Sequence, residues 1–270
     1  MHRVLISLVV LCLAAFVLAA PATVEAKPPG RPNPKPTPTV QPTPPVSTPT
    51  PIPSPSPTPT TVDGIDVSYH QGSIDWGQVA AAGKRFAFIR ASAGTLTADS
   101  AYWTNRAGAG VAGLSVGSYH FANPDTAVND ASNEASWFLR NSTIVSGDLI
   151  PVLDLEVSNG LDPASLTVWA QTWLTQVSAT TGVRPMIYTN PNFWSSSMAN
   201  TDWFARNGYP VLWIAHWTTA TAPAVPAGYW GGSGWTFWQQ SGTGFVPGIS
   251  GRVDLDRFNG SSLPPSLFVP

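Results

Sequence analysis

Two acidic residues, Asp154 and Glu156, interrupt the apolar run over residues 150–157, which has the length and composition of a buried strand. Acids are rare in such a run unless they are paired or needed for function, because a buried charge is costly. Side chains alternate along a strand, so residues two apart face the same side. We therefore expect both carboxyl groups on one face, where repulsion between like charges raises one of the two pKa values.

A protonated carboxylic acid beside an ionised carboxylate is the pair of groups that cleaves a glycosidic bond. The alternative is that the strand ends here and both acids are solvated, which is the commoner origin of an arbitrary Asp-x-Glu motif. The choice between these interpretations depends on which other residues the fold brings to the same place.

Strand-like and helix-like segments alternate through residues 62–270. Strands are predicted over residues 62–68, 86–92, 115–121, 150–157, 185–190, 211–217, 235–241 and 253–258, and helices over 74–83, 100–110, 125–140 and 162–181. Repeated strand–helix units predict a parallel sheet. Eight strands in about 200 residues predict an α/β fold, a single TIM-like (β/α) barrel, whose last third is poor in helices.

Function on such a barrel sits at the carboxyl ends of the strands. Asp66, Asp154, Glu156 and Asp254 all fall toward the ends of predicted strands. The first and last strands are neighbours in a closed barrel, so Asp66 and Asp254 can face the same pocket as Glu156. A hydrogen-bonded structural role for these two aspartates stays open. Asp256 shares a face with Asp254 by alternation but is not included in the candidate site.

Seven segments of the chain, in order and at plausible spacing, resemble the lysozymes of glycoside hydrolase family 25, the Chalaropsis-type N-acetylmuramidases. The match runs from about residue 64 to residue 258. Its segments are GIDVS at 64–68 with QG at 71–72 and IDW at 74–76, GSYHF at 117–121, LDLE at 153–156, IYT at 187–189, LWIA at 212–215, WQ at 238–239 and VDL at 253–255.

The resemblance implies an eight-stranded barrel with about five regular helices and hydrolysis of the β-1,4 bond between N-acetylmuramic acid and N-acetylglucosamine. Glu156 is then the general acid, since the negative charges of Asp154 and Asp66 favour its protonated form. The resemblance implies that an ionised Asp154 orients the substrate's 2-acetamido group or stabilises the cationic transition state. Carboxylates this close favour retention of configuration over inversion.

The catalytic candidates are thus Asp66, Asp154, Glu156 and Asp254. Aromatic side chains at or near strand ends can stack on sugar rings, and core packing is the equal alternative for each. The candidates for substrate binding are Tyr119, Tyr188, Trp213 and Trp217.

The first 61 residues are predicted to lie outside the fold. Residues 1–26 have the features of a signal peptide, with an apolar run over 4–20 and a small-residue cleavage site at 24–26. An uncleaved membrane anchor is the alternative. Residues 27–61 form a Pro/Thr/Ser-rich linker that cannot bury a core and should be extended. Residues 62–270 are the predicted catalytic domain of a secreted, extracellular or wall-associated protein.

The composition of the chain limits the classes of ligand and partner that we expect. Residues 62–270 hold 9 Lys and Arg against 14 Asp and Glu, a net charge of −5, so nucleic-acid binding is not expected. Cys12 is the only cysteine, and His70 and His120 lack ligand spacing, so we expect no metal and no cofactor. We expect the protein to be a monomer and its partner to be the glycan strand of peptidoglycan. Contact with a membrane is expected only if residues 1–26 are retained.

Two other functions are compatible with parts of this pattern. A chitinase-like hydrolase of N-acetylglucosamine polymers also carries Asp-x-Glu on its fourth strand, but such enzymes have further acids upstream, where this chain has Ile150, Pro151 and Val152. A wall-binding module that has lost activity is disfavoured because all four carboxylates are present.

Overall fold

The computed structural model describes residues 61–270, and within them eight strands form a closed barrel. The strands are β1 Val62–Val67, β2 Phe86–Ala93, β3 Thr97–Ala98, β4 Ser115–Phe121, β5 Val152–Asp154, β6 Met186–Thr189, β7 Leu212–Ala215, β8 Phe237–Gly244 and β9 Val253–Phe258. Strand β1 pairs with both β2 and β9, which closes the ring, while β3 only extends β2 as a short hairpin. The predicted TIM-like barrel is confirmed. The predicted signal peptide, and all of the predicted linker but Thr61, lie outside the described residues.

Within residues 61–270, seven helical segments surround the barrel, besides two short 3₁₀ turns at Tyr69–Gln71 and Pro265–Leu267. They are α1 Trp76–Ala81, α2 Tyr102–Val111, α3 Asp130–Asn141, α4 Pro163–Thr181, α5 Pro191–Ser197, α6 Trp203–Arg206 and α7 Pro226–Gly231. Five are regular helices, α6 is a single turn and α7 winds left-handed. This agrees with the expected number and with the helix-poor last third. None of these helices in residues 61–270 has both the length and the apolar character that a membrane crossing needs.

The sequence around helix α4 shows why this helix begins and ends where it does. Asp162 caps its start by accepting from the amides of Ala164 and Ser165, and Pro163 occupies the first helical position, where no amide donor is needed. Gly182 ends the helix in the left-handed conformation that lacks a steric penalty for glycine. Its buried face carries Trp173, which packs on the outside of the barrel wall against His120.

The closing strand β9 runs antiparallel to both of its neighbours, which corrects the prediction of a wholly parallel sheet. The reason is the length of the preceding connection. Residues 245–252 contain no helix and are too few for a parallel crossover, which takes a dozen residues or more. Asp254 therefore lies at the amino end of β9, not at its end as expected, and it pairs with Asp66 near the carboxyl end of β1. Both aspartates still reach the same rim.

The barrel interior is filled by aromatic rings. Phe88 packs against Trp213 and Phe237 with ring centroids 4.4 and 5.1 Å apart. Residue 117 is a glycine, and a Cβ at this position would overlap the ring of Phe88. A second apolar layer lies between the barrel wall and the helices. Asp256 is fully buried on β9 among residues that otherwise form this aromatic interior.

Segment α7 holds five successive residues, Ala227 to Gly231, at positive φ, and three of them are not glycine. Non-glycine residues adopt this conformation at a cost of about 1–2 kcal/mol each, so outside contacts must hold it. The amide of Ala227 donates to Asn200 Oδ1 at 2.7 Å, and the buried Trp230 donates to the carbonyl of Tyr209 at 3.0 Å. These contacts offset the strain and fix the connection between β7 and β8.

Candidate active site

A cavity of about 180 Å³ opens at the carboxyl ends of the parallel strands. All four predicted catalytic carboxylates line it: Asp66 from β1, Asp154 from β5, Glu156 just beyond β5, and Asp254 from β9. The structure thus brings together residues that are far apart in sequence. The remaining lining includes Ser68, His70, Arg90, Tyr119, Tyr188, Trp213 and Gln239.

Asp154 and Glu156 share a cavity, as strand alternation predicted. Strand β5 lies between β4 and β6, and Asp154 is in register with Tyr188 of β6. The amide of Leu155 donates to the carbonyl of Tyr188 at 3.0 Å, which continues the ladder one residue past the strand. Leu155 is fully buried in the outer layer, so its two acidic neighbours point inward.

Burial, more than repulsion, controls the pKa values of this pair. Burial raises the pKa of Asp154 well above its ordinary value, Glu156 raises it further, and Arg90 lowers it. The pKa of Glu156, which is half-buried, is raised first by burial and then by Asp254. The sequence predicts repulsion by Asp154 and Asp66 as the cause of the raised pKa of Glu156. In the structure burial is the largest cause for both groups, and Asp154 is the more deeply buried of the two.

The first and last strands contribute a second group of carboxyls. Burial raises the pKa of Asp66 well above its ordinary value, with Asp256 and Asp254 adding to the rise and a hydrogen bond from Gln239 opposing it. Burial also raises the pKa of Asp254 to about 6. The pKa of Asp256 rises to about 8 through burial, although its bond from Trp213 Nε1, 2.9 Å long, lowers it.

Three residues of this site were missed by the sequence analysis. Alternation places Asp256 on the same face as Asp254, but Asp256 is not among the predicted site residues. Arg90, which lowers the pKa of Asp154, was signalled only as a lone charge in the apolar strand β2. It is held by Asp99 at 2.9 Å and lies over the ring of Tyr69. Gln239 belonged to a recognised segment, yet its hydrogen bonds could not be read from sequence.

The aromatic candidates divide into two kinds. Tyr119, Tyr188 and Trp213 line the acid cavity but are almost fully buried. Trp217 is 64% exposed and lines a second cavity of about 450 Å³. Glu156 and Tyr188 border both cavities, so the two form adjoining parts of one depression at the barrel mouth.

The histidines have different surroundings. His120 is fully buried on the outer side of β4, between Ser92 Oγ and Glu134 Oε2, both 2.8 Å from its ring nitrogens. His70 is exposed at the rim of the acid cavity. Within residues 61–270 no three His, Cys, Asp or Glu side chains are arranged to hold a metal ion.

Comparison with known proteins assigns this arrangement to a family. The model of glycosyl hydrolases family 25 matches residues 65–249. The chain is 38% identical over 213 residues to Lysozyme M1 of Streptomyces globisporus, which covers 74% of this chain and 69% of that protein. It is 33% identical over 210 residues to the N,O-diacetylmuramidase of Chalaropsis sp, covering 72% of this chain and 96% of that protein.

Solved structures give the same result. A bacterial lysozyme from Streptomyces coelicolor superposes with a TM-score of 0.69 at 36% identity, covering 75% of this chain and 94% of that one. A family GH25 lysozyme from Aspergillus fumigatus superposes with a TM-score of 0.65 at 30% identity, covering 74% and 95%.

Proposed function

The chain belongs to family 25 of the glycosyl hydrolases, and we propose that it is a lysozyme that hydrolyses the β-1,4 bond between N-acetylmuramic acid and N-acetylglucosamine in peptidoglycan. Its similarity to a bacterial lysozyme and to a fungal N,O-diacetylmuramidase supports this substrate. The carboxylate cavity supports the same reaction, because glycoside hydrolysis needs an acid and a second carboxyl group at one bond.

Glu156 is the proposed general acid, and one observation carries this assignment: Glu156 borders both the acid cavity and the cavity of Trp217. A glycan that crosses from one cavity to the other brings a glycosidic oxygen past this side chain. Burial and the neighbouring Asp254 raise the pKa of Glu156, so its proton is retained until it is transferred to the leaving oxygen.

Asp154 is the proposed assisting group. Its Oδ1 atom is buried and accepts no hydrogen bond from the described residues, and the residue lines the acid cavity. An N–H of the 2-acetamido group is a suitable donor for this carboxyl group. A bond to that group, together with Arg90 nearby, favours the ionised form of Asp154 when substrate is bound. The carboxylate can then orient the acetamido group or stabilise positive charge at the anomeric carbon.

Asp66 and Asp254 are proposed to complete the site from the opposite wall. Both line the acid cavity, and the pKa of Asp254 near 6 lets it exchange protons under ordinary conditions. The negative charge of ionised Asp254 favours a cationic transition state and the protonated form of Glu156. Trp217 is the proposed stacking surface for a sugar ring, with Tyr119, Tyr188 and Trp213 shaping the floor.

Identification of the reducing ends released from purified peptidoglycan tests this proposal. Reduction with borohydride, followed by acid hydrolysis, should convert muramic acid to its alcohol and leave glucosamine unreduced. The Glu156→Gln variant serves as the matched control. Reduced glucosamine in place of reduced muramic acid, or cleavage of chitin oligomers in preference to wall, would instead favour the chitinase-like function. Absence of any new reducing end would favour an inactive wall-binding module.

We also propose that the protein is secreted as a monomer, with residues 1–26 removed and residues 27–61 acting as a spacer. The apolar run at residues 4–20 and the small residues at 24–26 support export. N-terminal sequencing of the native protein tests this: a start near Lys27 agrees with cleavage, whereas retention of Met1 in a membrane fraction contradicts it.

A further inference from the structure

We propose that Gln239 is a positioning residue that ties the exposed Trp217 indole to the Asp66 carboxyl group, so that the sugar-stacking surface and the acid cluster keep one relative geometry. This inference rests on the proposed function and extends it to a residue to which that function gives no role. It depends on three hydrogen bonds that meet at one buried side chain.

The amide of Gln239 uses both of its ends. Its Nε2 atom donates to Asp66 Oδ2 at 2.8 Å, while its Oε1 atom accepts from Tyr188 Oη and from Trp217 Nε1, each at 3.1 Å. Indole nitrogen can only donate, so the oxygen must face Trp217 and the nitrogen must face Asp66. Gln239 is 4% exposed and in register with Ala215 of β7 and Asp256 of β9, so the strand fixes its position.

Trp217 needs this support because it projects from the rim. An indole that is 64% exposed has few contacts to fix its rotamer. Gly242 of β8 provides one restraint, since a Cβ at that position would overlap the indole ring, so the ring lies directly against the strand. The bond to Gln239 provides the other. Together they hold a flat aromatic face beside Glu156 in the second cavity.

Asp66 needs the same residue for a different reason. Burial and the neighbouring aspartates favour its protonated form, and the hydrogen bond from Gln239 is what opposes them. A donor to a carboxylate stabilises the ionised state. Gln239 therefore links the charge of Asp66 to the orientation of Trp217, and loss of its donor should affect both.

The Gln239→Glu variant tests this link because it keeps the shape and the acceptor oxygen but loses the donor when ionised. Near neutral pH we expect kcat on soluble peptidoglycan fragments to fall on the order of 10- to 100-fold, as for loss of a hydrogen bond to a charged group. Acidification protonates the introduced carboxyl, which then donates as the amide did. The rate relative to wild type at the same pH should therefore recover.

Two comparison variants sharpen the result. Gln239→Leu removes both functions, so its kcat should stay low and its KM high at every pH. Gln240→Glu makes the same substitution at the adjacent half-buried position of β8 and should keep the wild-type pH profile. A Gln239→Glu profile parallel to wild type, or a loss as pH-independent as that of Gln239→Leu, would overturn the proposal.

A titration that needs no turnover separates this proposal from the proposed function. Carboxyl carbon chemical shifts followed by NMR should give a higher pKa for Asp66 in folded Gln239→Leu than in wild type. An unchanged Asp66 pKa would refute the link even in a fully active enzyme. Conversely, failure of the wild-type protein to release reducing ends would refute the lysozyme function. A higher Asp66 pKa in Gln239→Leu would still support the link between Gln239 and Asp66.

Discussion

Glu134 and Asp154 are both almost completely buried, one outside the barrel wall and one inside it, but their partners differ. Glu134 Oε2 lies 2.8 Å from His120 Nε2, and both of its oxygens accept from the amide of Asn123. Asp154 Oδ1 has no hydrogen-bond partner among the described residues. The outer carboxyl group is held by donors, whereas the inner one is left with capacity that a ligand can use.

The same contrast extends to other acids. Asp148, outside the wall, receives two bonds from Arg106 and one from the amide of Val145. Asp66 at the barrel mouth accepts a side-chain bond from Gln239, its other side-chain partners are themselves carboxyl groups, and burial raises its pKa. Burial alone therefore does not distinguish a structural acid from a functional one. The number of donors does, because a desolvated carboxyl group with few donors is the one that exchanges protons.

The largest expected loss of lytic activity comes from substitution of Glu156 or Asp154, the carboxyl groups inside the barrel. Glu156→Gln removes the proposed proton donor while keeping its volume, and the rate of wall lysis should fall roughly 10²–10⁴-fold. Asp154→Asn should be nearly as damaging. Turbidity loss of a bacterial wall suspension measures the rate, and thermal unfolding confirms that each variant is folded. Lysis at the wild-type rate by folded Glu156→Gln would remove Glu156 as the general acid.

Substitution of Glu134, the carboxyl group outside the barrel wall, should lower stability and leave the lytic rate nearly unchanged. Glu134→Leu leaves the His120 ring and the amide of Asn123 without their acceptor, which costs roughly 1–3 kcal/mol for each buried donor. The free energy of unfolding should fall, while lysis per folded molecule stays within a few-fold of wild type. Chemical denaturation and lysis assays on the same samples compare the two. Undiminished stability with a large loss of lysis would invalidate the distinction between inner and outer acids.

Asp256 allows a test of pH dependence. Its folded pKa of about 8 lies above the ordinary aspartate value, so between roughly pH 4 and pH 8 the folded protein binds more protons than the unfolded chain. Wild-type stability attributable to this group therefore falls as pH rises through that window. Asp256→Asn cannot titrate and should gain stability relative to wild type by up to about 1.4 kcal/mol per pH unit. Denaturation at pH 5, 7 and 9 measures this, and a gain that shrinks with rising pH would contradict it.

The smallest expected effect is none at all. Proton transfer between carboxyl groups and substrate requires no metal ion, so prolonged dialysis against a chelator should leave the lytic rate of the wild-type protein unchanged. Loss of activity that a divalent ion restores would show that the carboxylates of the barrel mouth bind a metal, and the contrast with the outer acids would need another explanation.

Much of the fold was predictable because the interior pattern is simple. Predicted strand 115–121 agrees with β4, and the helix that begins after Asp162 agrees with α4. Periodicity and caps are local signals, so they can be read without the tertiary structure. Helix α5, between Pro191 and Ser197, was not predicted because it is short and rich in serine. The hairpin strand β3 was missed for the same reason of length.

The positions of the site residues were predictable only where strand alternation or barrel closure determines them. The shared face of Asp154 and Glu156 followed from the period of a strand, and the meeting of Asp66 with Asp254 followed from barrel closure. Depth of burial did not follow, so the sequence did not predict that burial is the main cause of the raised pKa of Asp154. The bonds of Gln239 to three different strands or loops also depend on tertiary structure, which no local pattern records.

The antiparallel closing strand also affects the order in which the protein becomes active during folding. The neighbouring strands of the ring are close in sequence except for β9 and β1, which lie at opposite ends of the barrel domain and must pair to close it. Contacts between residues so far apart in the chain form slowly. Asp254 reaches Asp66 only at that step, so refolding should restore secondary structure before lytic activity. A chain cut after β8 would keep Asp154 and Glu156 but have an open sheet edge where the acid cluster should be.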